Sequence, residues 1–152
     1  LLEGTEVRRY IEKMARILGI DHGKKRTGIA ISDMTGVVAT PLETIEARTR
    51  RGVIDEVCRI VREYDVVEVV VGLPLDLDGR AGRRAVEARR FAQALGRCVA
   101  VPVHTWDERF STIAVRRVLR EADVSRPRRK EVLDSNAAAY ILQGYLDHRH
   151  RE

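Results

Sequence analysis

The chain is poor in several things that would have announced a function class. It has two cysteines, Cys58 and Cys98, 40 residues apart, with no further cysteine or histidine at zinc-site spacing. A disulfide scaffold and a thiolate metal site are therefore excluded, and two buried free thiols are expected. No apolar run reaches the roughly 18 residues of a membrane span, and no charged-then-apolar signal segment opens the chain, so the expected location is the cytoplasm. Lysine is scarce: four of the 28 basic residues are Lys (Lys13, Lys24, Lys25, Lys130) and the rest are Arg. There is one tryptophan, Trp106, expected to pack beside a strand rather than to serve as a base-stacking platform. Internal repeats and low-complexity tracts are absent.

What is present is a 152-residue chain, 44% hydrophobic and 34% charged, with a net charge of +5. That length suits one domain with a real core. A basic, arginine-rich balance favours anionic partners, because the guanidinium fork can donate two hydrogen bonds to one phosphate. Genomic base composition or heat adaptation would raise arginine equally well, so charge alone decides little. Residues 1–13 read unlike the remainder of the chain and are expected to be a leader or an added extension, with the domain spanning 14–152.

From Ile17 onward, apolar periodicity alternates between strand and helix. Strands are expected at Ile17–Asp21, Gly28–Ser32, Val37–Ile45 (an edge strand, because of Pro41), Val66–Val71 and Val99–Trp106. Helices are expected over 49–64, 81–96, 111–122 and 130–147, the third capped by Ser111 or Thr112. The basic stretch Ser125–Lys130 reads as a linker, and His148 and His150 as part of a disordered charged tail. Two hairpins followed by alternating helices and strands predict an α/β fold: a mixed five-stranded sheet with helices on both faces. Chemistry in such sheets gathers where central strands end.

Acids stand at costly positions there. Asp21 closes an apolar strand, Asp107 and Glu108 close another, and Asp134 falls in the apolar stripe of the last helix with Ala138, Ile141, Leu142 and Tyr145. A charge in such a place is disfavoured by desolvation unless something compensates it. A shared hard cation would compensate all of them, and Mg²⁺ prefers carboxylate oxygens together with substrate phosphates. Each acid alone has a bland reading as a turn starter, a helix cap or a first-turn acid. Lys24, Lys25, Arg26 and Arg109 flank the same region and could hold phosphates or could be solvated surface charge. Thr27, Ser111 and Thr112 are expected to cap or orient. His22 is expected to face solvent from a turn rather than to move a proton.

The segments ILGIDHGKKRTGIAIS, VVGLPLDLDG, TWDERFST and DSNAAAYILQGYL follow one another in the order seen in the YqgF (RuvX-like) family. That family belongs to the ribonuclease H-like nucleases and is similar to Holliday-junction resolvases; the resemblance runs from about residue 17 to 146. It implies a metal-binding triad of Asp21, one acid of the Asp107-Glu108-Arg109 segment and Asp134. Adjacent strand residues face opposite ways, so one of the two is expected to point at the metal; Glu108 is favoured, with Asp107 the alternate. It also implies that the loop carrying Asp76 and Asp78 borders the site; family members often have Asn where this chain has Asp76. The implied activity is phosphodiester hydrolysis with two Mg²⁺ or Mn²⁺ ions.

The expected substrate is structured nucleic acid, with 5′ processing of precursor 16S rRNA favoured over cleavage of a DNA junction. A junction resolvase would need a symmetric dimer, and the sequence offers no clear dimer surface, which leaves monomer and homodimer open. A non-catalytic nucleic-acid-binding module on the same fold is the further alternative. A single lobe of an actin-like ATPase is disfavoured, because the chain lacks a second lobe and a second phosphate loop.

Overall fold

The computed structural model describes residues 4–7, 15–76, 78–110 and 126–150, with side chains in the last segment from Asn136 onward. Five strands form one sheet: β1 (Arg16–His22), β2 (Thr27–Ser32), β3 (Ala39–Ile45), β4 (Val66–Leu73) and β5 (Val103–Asp107), in the order β3-β2-β1-β4-β5. The first three are joined as antiparallel hairpins, whereas β4 runs parallel to β1 and β5 parallel to β4. The mixed sheet anticipated from the sequence is thus observed. Pro41 lies on the edge strand, opposite Ala30, where the register between β2 and β3 shifts. A residue without an N–H can sit there without breaking a central ladder.

Among the described residues, three helices pack on the sheet: α1 (Arg50–Glu63), α2 (Arg83–Gly96) and α3 (Arg126–His150). Thr49 caps α1, its hydroxyl accepting from the Gly52 amide at 3.0 Å. Strand alternation divides the core in two. Leu18, Ile20, Ile29, Val69 and Val71 face α1 and α2, meeting Val57, Ile60, Phe91 and Leu95. Ile17, Ala30 and Val70 face the other way, against Ala138, Ile141, Leu142 and Leu146 of α3.

Several expectations need correction. The stretch from Arg126 to Lys130 is the start of α3, not a linker; Pro127 is tolerated in a first turn because the missing N–H would have had no helical partner anyway. The C-terminal histidines are helical and engaged, His148 against Trp106 with ring centroids 5.2 Å apart and His150 Nε2 2.8 Å from the Gly36 carbonyl. β5 begins at Val103 rather than Val99, since 97–101 form turns and bends. That leaves Cys98 exposed and Cys58 half-buried, both as free thiols. The expected helix over 111–122, with its caps Ser111 and Thr112, lies outside the described residues. No helix among the described residues is long and apolar enough to cross a membrane.

Candidate active site

Because β1, β4 and β5 are parallel, their C-terminal ends meet at one edge of the molecule. Asp21 is the penultimate residue of β1, and Glu108 follows the last residue of β5, in a short 3-10 turn. Pleating decides which way each points. A Cβ on Gly19 would lie 2.6 Å from Leu142 Cβ, so this phase of β1 faces α3. Asp21, two residues on, shares that face. His22 takes the opposite face: its ring stacks on Phe91 of α2 at 4.1 Å, and Nδ1 lies 3.3 Å from the Thr27 hydroxyl. Burial lowers its pKa from the usual 6.5; the nearby Glu87 works against this and Arg50 with it. The expectation of a solvent-facing turn histidine is therefore overturned.

The same division separates Asp107 from Glu108. The carboxylate of Asp107 accepts from the Arg109 amide at 3.0 Å and from its guanidinium Nε at 2.8 Å. The hydrogen bonds from that guanidinium hold the Asp107 carboxyl below its ordinary pKa. Glu108 is buried at 9% exposure and leans over β4: a Cβ on Gly72 would lie 2.8 Å from its Oε1 and 2.5 Å from Ile141 Cδ1. Glycine at 72 thus makes room for a buried carboxylate beneath α3. Gly28 is the register partner of Asp21, and Gly72 follows Val71, the partner of Ile20. Asp21 therefore has a strand glycine on either side, and the floor around the two acids carries no side chains. A glycine within an otherwise apolar strand is the sequence signal for such a close approach, and it went unread at Gly72 and Gly28.

The other candidates lie around this edge. Lys24, Lys25 and Arg26 occupy the exposed β1–β2 turn, closed by a bond from the Gly23 amide to the Arg26 carbonyl at 3.0 Å. Arg26 also reaches Glu46, at 3.5 Å. The loop after β4 is tied to itself, with the Asp76 carbonyl accepting from Gly79 N at 2.8 Å and Asp78 Oδ1 from Arg80 N at 3.1 Å. Gly79, at φ +87°, gives the positive dihedral this turn requires, and Arg109 lies against it. Arg109 is thus engaged between Asp107 and the loop. Asp134 lies on α3 one turn before Ala138, and its side chain is outside the described residues. Among the described residues, no three His, Cys, Asp or Glu side chains gather at metal-binding separations. Trp106 packs edge-on against Tyr145 at 5.8 Å, as a strand-side residue.

A profile described as RuvX, Holliday junction resolvase, matches residues 15–148. The chain belongs to the RuvX family. This RuvX-family protein is 45% identical over 132 residues to a candidate pre-16S rRNA nuclease of Myxococcus xanthus, covering 87% of each chain. It is 47% identical to a like-named protein of Bacillus thuringiensis, covering 87% of this chain and 98% of the relative. Among solved structures, Thermus thermophilus RuvC in complex with a Holliday junction superposes with a TM-score of 0.54 at 15% identity, covering 90% of this chain and 96% of that one. At that identity the likeness shows the fold alone: the ribonuclease H-like sheet. The nuclease family and the fold class expected from the motifs are both borne out.

Proposed function

We propose that this protein hydrolyses phosphodiester bonds in structured nucleic acid, that its substrate is precursor 16S rRNA processed at the 5′ side, and that it acts in the cytoplasm. The observation that carries the reading is the pairing of Asp21 with the buried Glu108 on one face of the strand ends, over a floor kept clear by Gly28 and Gly72. The names of the relatives, at 45–47% identity, favour ribosomal RNA as the substrate.

The donors on this face are carboxylate oxygens, which fit Mg²⁺ or Mn²⁺ and suit soft metals poorly. In this reading Asp21, Glu108 and Asp134 hold the cations. When bound, two such ions lower the pKa of an attacking water and stabilise the leaving oxygen. Lys24, Lys25 and Arg26 lie on a turn at the same edge and hold substrate phosphates. Asp107 keeps Arg109 and the 74–82 loop in place beside the acids. Burial of Glu108 under α3 excludes bulk water from one side of the site.

The family description favours a second substrate, the four-way DNA junction. A cleavage assay on precursor rRNA, linear DNA and a four-way junction, with and without Mn²⁺, separates these readings. Mn²⁺-dependent cleavage of the rRNA, abolished by chelator, is expected. Cutting confined to the junction would transfer the assignment to resolution, and binding without cleavage of any substrate would make the chain a non-catalytic module.

A further inference from the structure

Helices α1 and α2 are both 14 residues long and pack on the same face of the sheet, yet they treat their charges in opposite ways. On α1, Arg51 meets Asp55 at 3.5 Å, and Arg59 meets Glu56 at 3.0 Å, Glu63 at 2.6 Å and Glu43 at 3.0 Å. On α2, Arg83, Arg84, Arg89 and Arg90 are exposed, followed by Arg97 at the C-cap, and Glu87 is the helix's one acid. None of these five arginine side chains has an ion pair or hydrogen bond among the described residues.

Nor does the placement of the first two serve the helix. Arg83 and Arg84 stand in the first turn, which holds no acid, and a cation there opposes the positive end of the helix dipole. Arg83, Arg90 and Arg97 recur every seven residues, so they line one stripe with rungs about 10.5 Å apart and a total run of about 21 Å. The stripe also starts at the edge of the sheet that carries the candidate site. Leu73, the last residue of β4, packs with Ala85 and Ala88, which fixes the first turns of α2 at the C-terminal ends of the parallel strands, on the sheet face opposite the one Glu108 leans over. An array of like charges that opposes the helix dipole at its N-terminal end, finds no partner among the described residues and leads away from the strand-end edge calls for an extended anion.

We propose that the outer face of α2 is a phosphate-binding track for the nucleic-acid backbone beyond the scissile bond, with Arg83, Arg90 and Arg97 as its rungs. This rests on the reading of nucleic acid as substrate, and it locates the part of the substrate that is not cut. Regularly spaced phosphates match the stripe in sign and in extent, and each arginine that neutralises one releases counterions.

The test uses the full chain bearing Asp21→Asn, so that binding is read without cleavage, and an RNA hairpin longer than the stripe as probe. Arg83→Gln/Arg90→Gln/Arg97→Gln is compared with Arg51→Gln/Arg59→Gln/Arg62→Gln on α1, which removes the same charge. Glutamine preserves helix propensity. The α2 variant should bind at least about tenfold more weakly, and its slope of log affinity against log salt should fall by about 2 to 3. The α1 variant should show neither change.

In chains that retain Asp21, cleavage of a short oligonucleotide spanning only the scissile bond should be the same with and without the α2 substitutions. Should the triple variant lose its fold, Arg90→Gln alone should still lower the salt slope by about 1. Equal affinity and slope for the α1 and α2 variants would overturn the track while leaving the nuclease reading in place. Competition by polyglutamate as effective as by RNA would reassign the face to an acidic protein and overturn it too. A parent chain that binds neither RNA nor DNA would remove the functional reading and the track together.

Discussion

The two faces of the sheet differ most where the parallel strands end. Toward α3 lie Asp21 and Glu108, with glycines at 19, 28 and 72 in place of side chains. Toward α2 lies His22, stacked on Phe91, and Asp107, split from Glu108 by the pleat, is bound to Arg109. Residues adjacent in sequence, Asp21 with His22 and Asp107 with Glu108, are thereby assigned to different surroundings. The face under α3 keeps carboxylates close to the sheet by leaving out side chains. On the other face, polar groups are absorbed into packing and an ion pair. Ionisable residues at strand ends are thus sorted by pleat before they are sorted by chemistry.

The largest expected effect sharpens this comparison. Glu108→Gln keeps the shape of the side chain and removes its charge; turnover with Mg²⁺ should fall by roughly 10²–10⁴, measured as cleavage rate at saturating metal. The melting temperature should hardly move. Wild-type turnover would place Glu108 outside the chemistry.

Gly72→Ala attacks the same face through space rather than charge. Its Cβ would meet Ile141 Cδ1 at 2.5 Å and Glu108 Oε1 at 2.8 Å. Overpacking of that kind costs about 1–3 kcal/mol, so denaturant titration should show a lower midpoint, and activity should fall with the displacement of Glu108. A fully active, equally stable variant would mean that the floor does not need to be bare.

His22 probes the opposite face. Its folded pKa lies below 6.5, so at pH values between the two the unfolded chain binds more protons and stability rises with pH. The contribution is complete above about pH 6.5 and is lost as pH falls through the lowered folded value. His22→Phe, measured with chelator present, should flatten the dependence of melting temperature on pH below about 6.5. An unchanged slope would mean that the ring titrates normally.

Asp107→Asn should have the smallest effect. Asparagine can still accept from the Arg109 amide, and the ion pair it forfeits is partly exposed, at 31% and 19% for Arg109 and Asp107. A loss of at most about 1 kcal/mol is expected, with most activity retained. If Asp107→Asn abolished cleavage and Glu108→Gln did not, the roles of the two faces would be exchanged.

Much of the fold was legible in the chain itself. The apolar run Val66–Val71, interrupted by Glu68, announced a strand, and Pro41 announced an edge; β4 lies inside the sheet, with Val69, Val70 and Val71 fully buried, and Pro41 lies on the edge strand. The misreadings share a cause, which is that local polarity says little about tertiary contact. Arg126–Lys130 looked like a linker and His148 and His150 like a tail because they are charged, yet α3 runs through all of them and docks His150 on the Gly36 carbonyl. Cys98 looked buried because its neighbours are apolar, but a turn carries it outward.

Period, residue type and motif order along one dimension were enough to give the order of the five strands and the described helices, the acids at the strand ends and the family. Only the tertiary structure decided that Glu108 and not Asp107 lies under α3, and that His22 belongs to the packing of α2. It also decided that the arginines of α2 meet no acid among the described residues while Arg51 and Arg59 of α1 do. The physical reason is the same in each case. A side chain's charge, partner and protonation are set by what packs against it, and those neighbours come from parts of the chain far away in sequence.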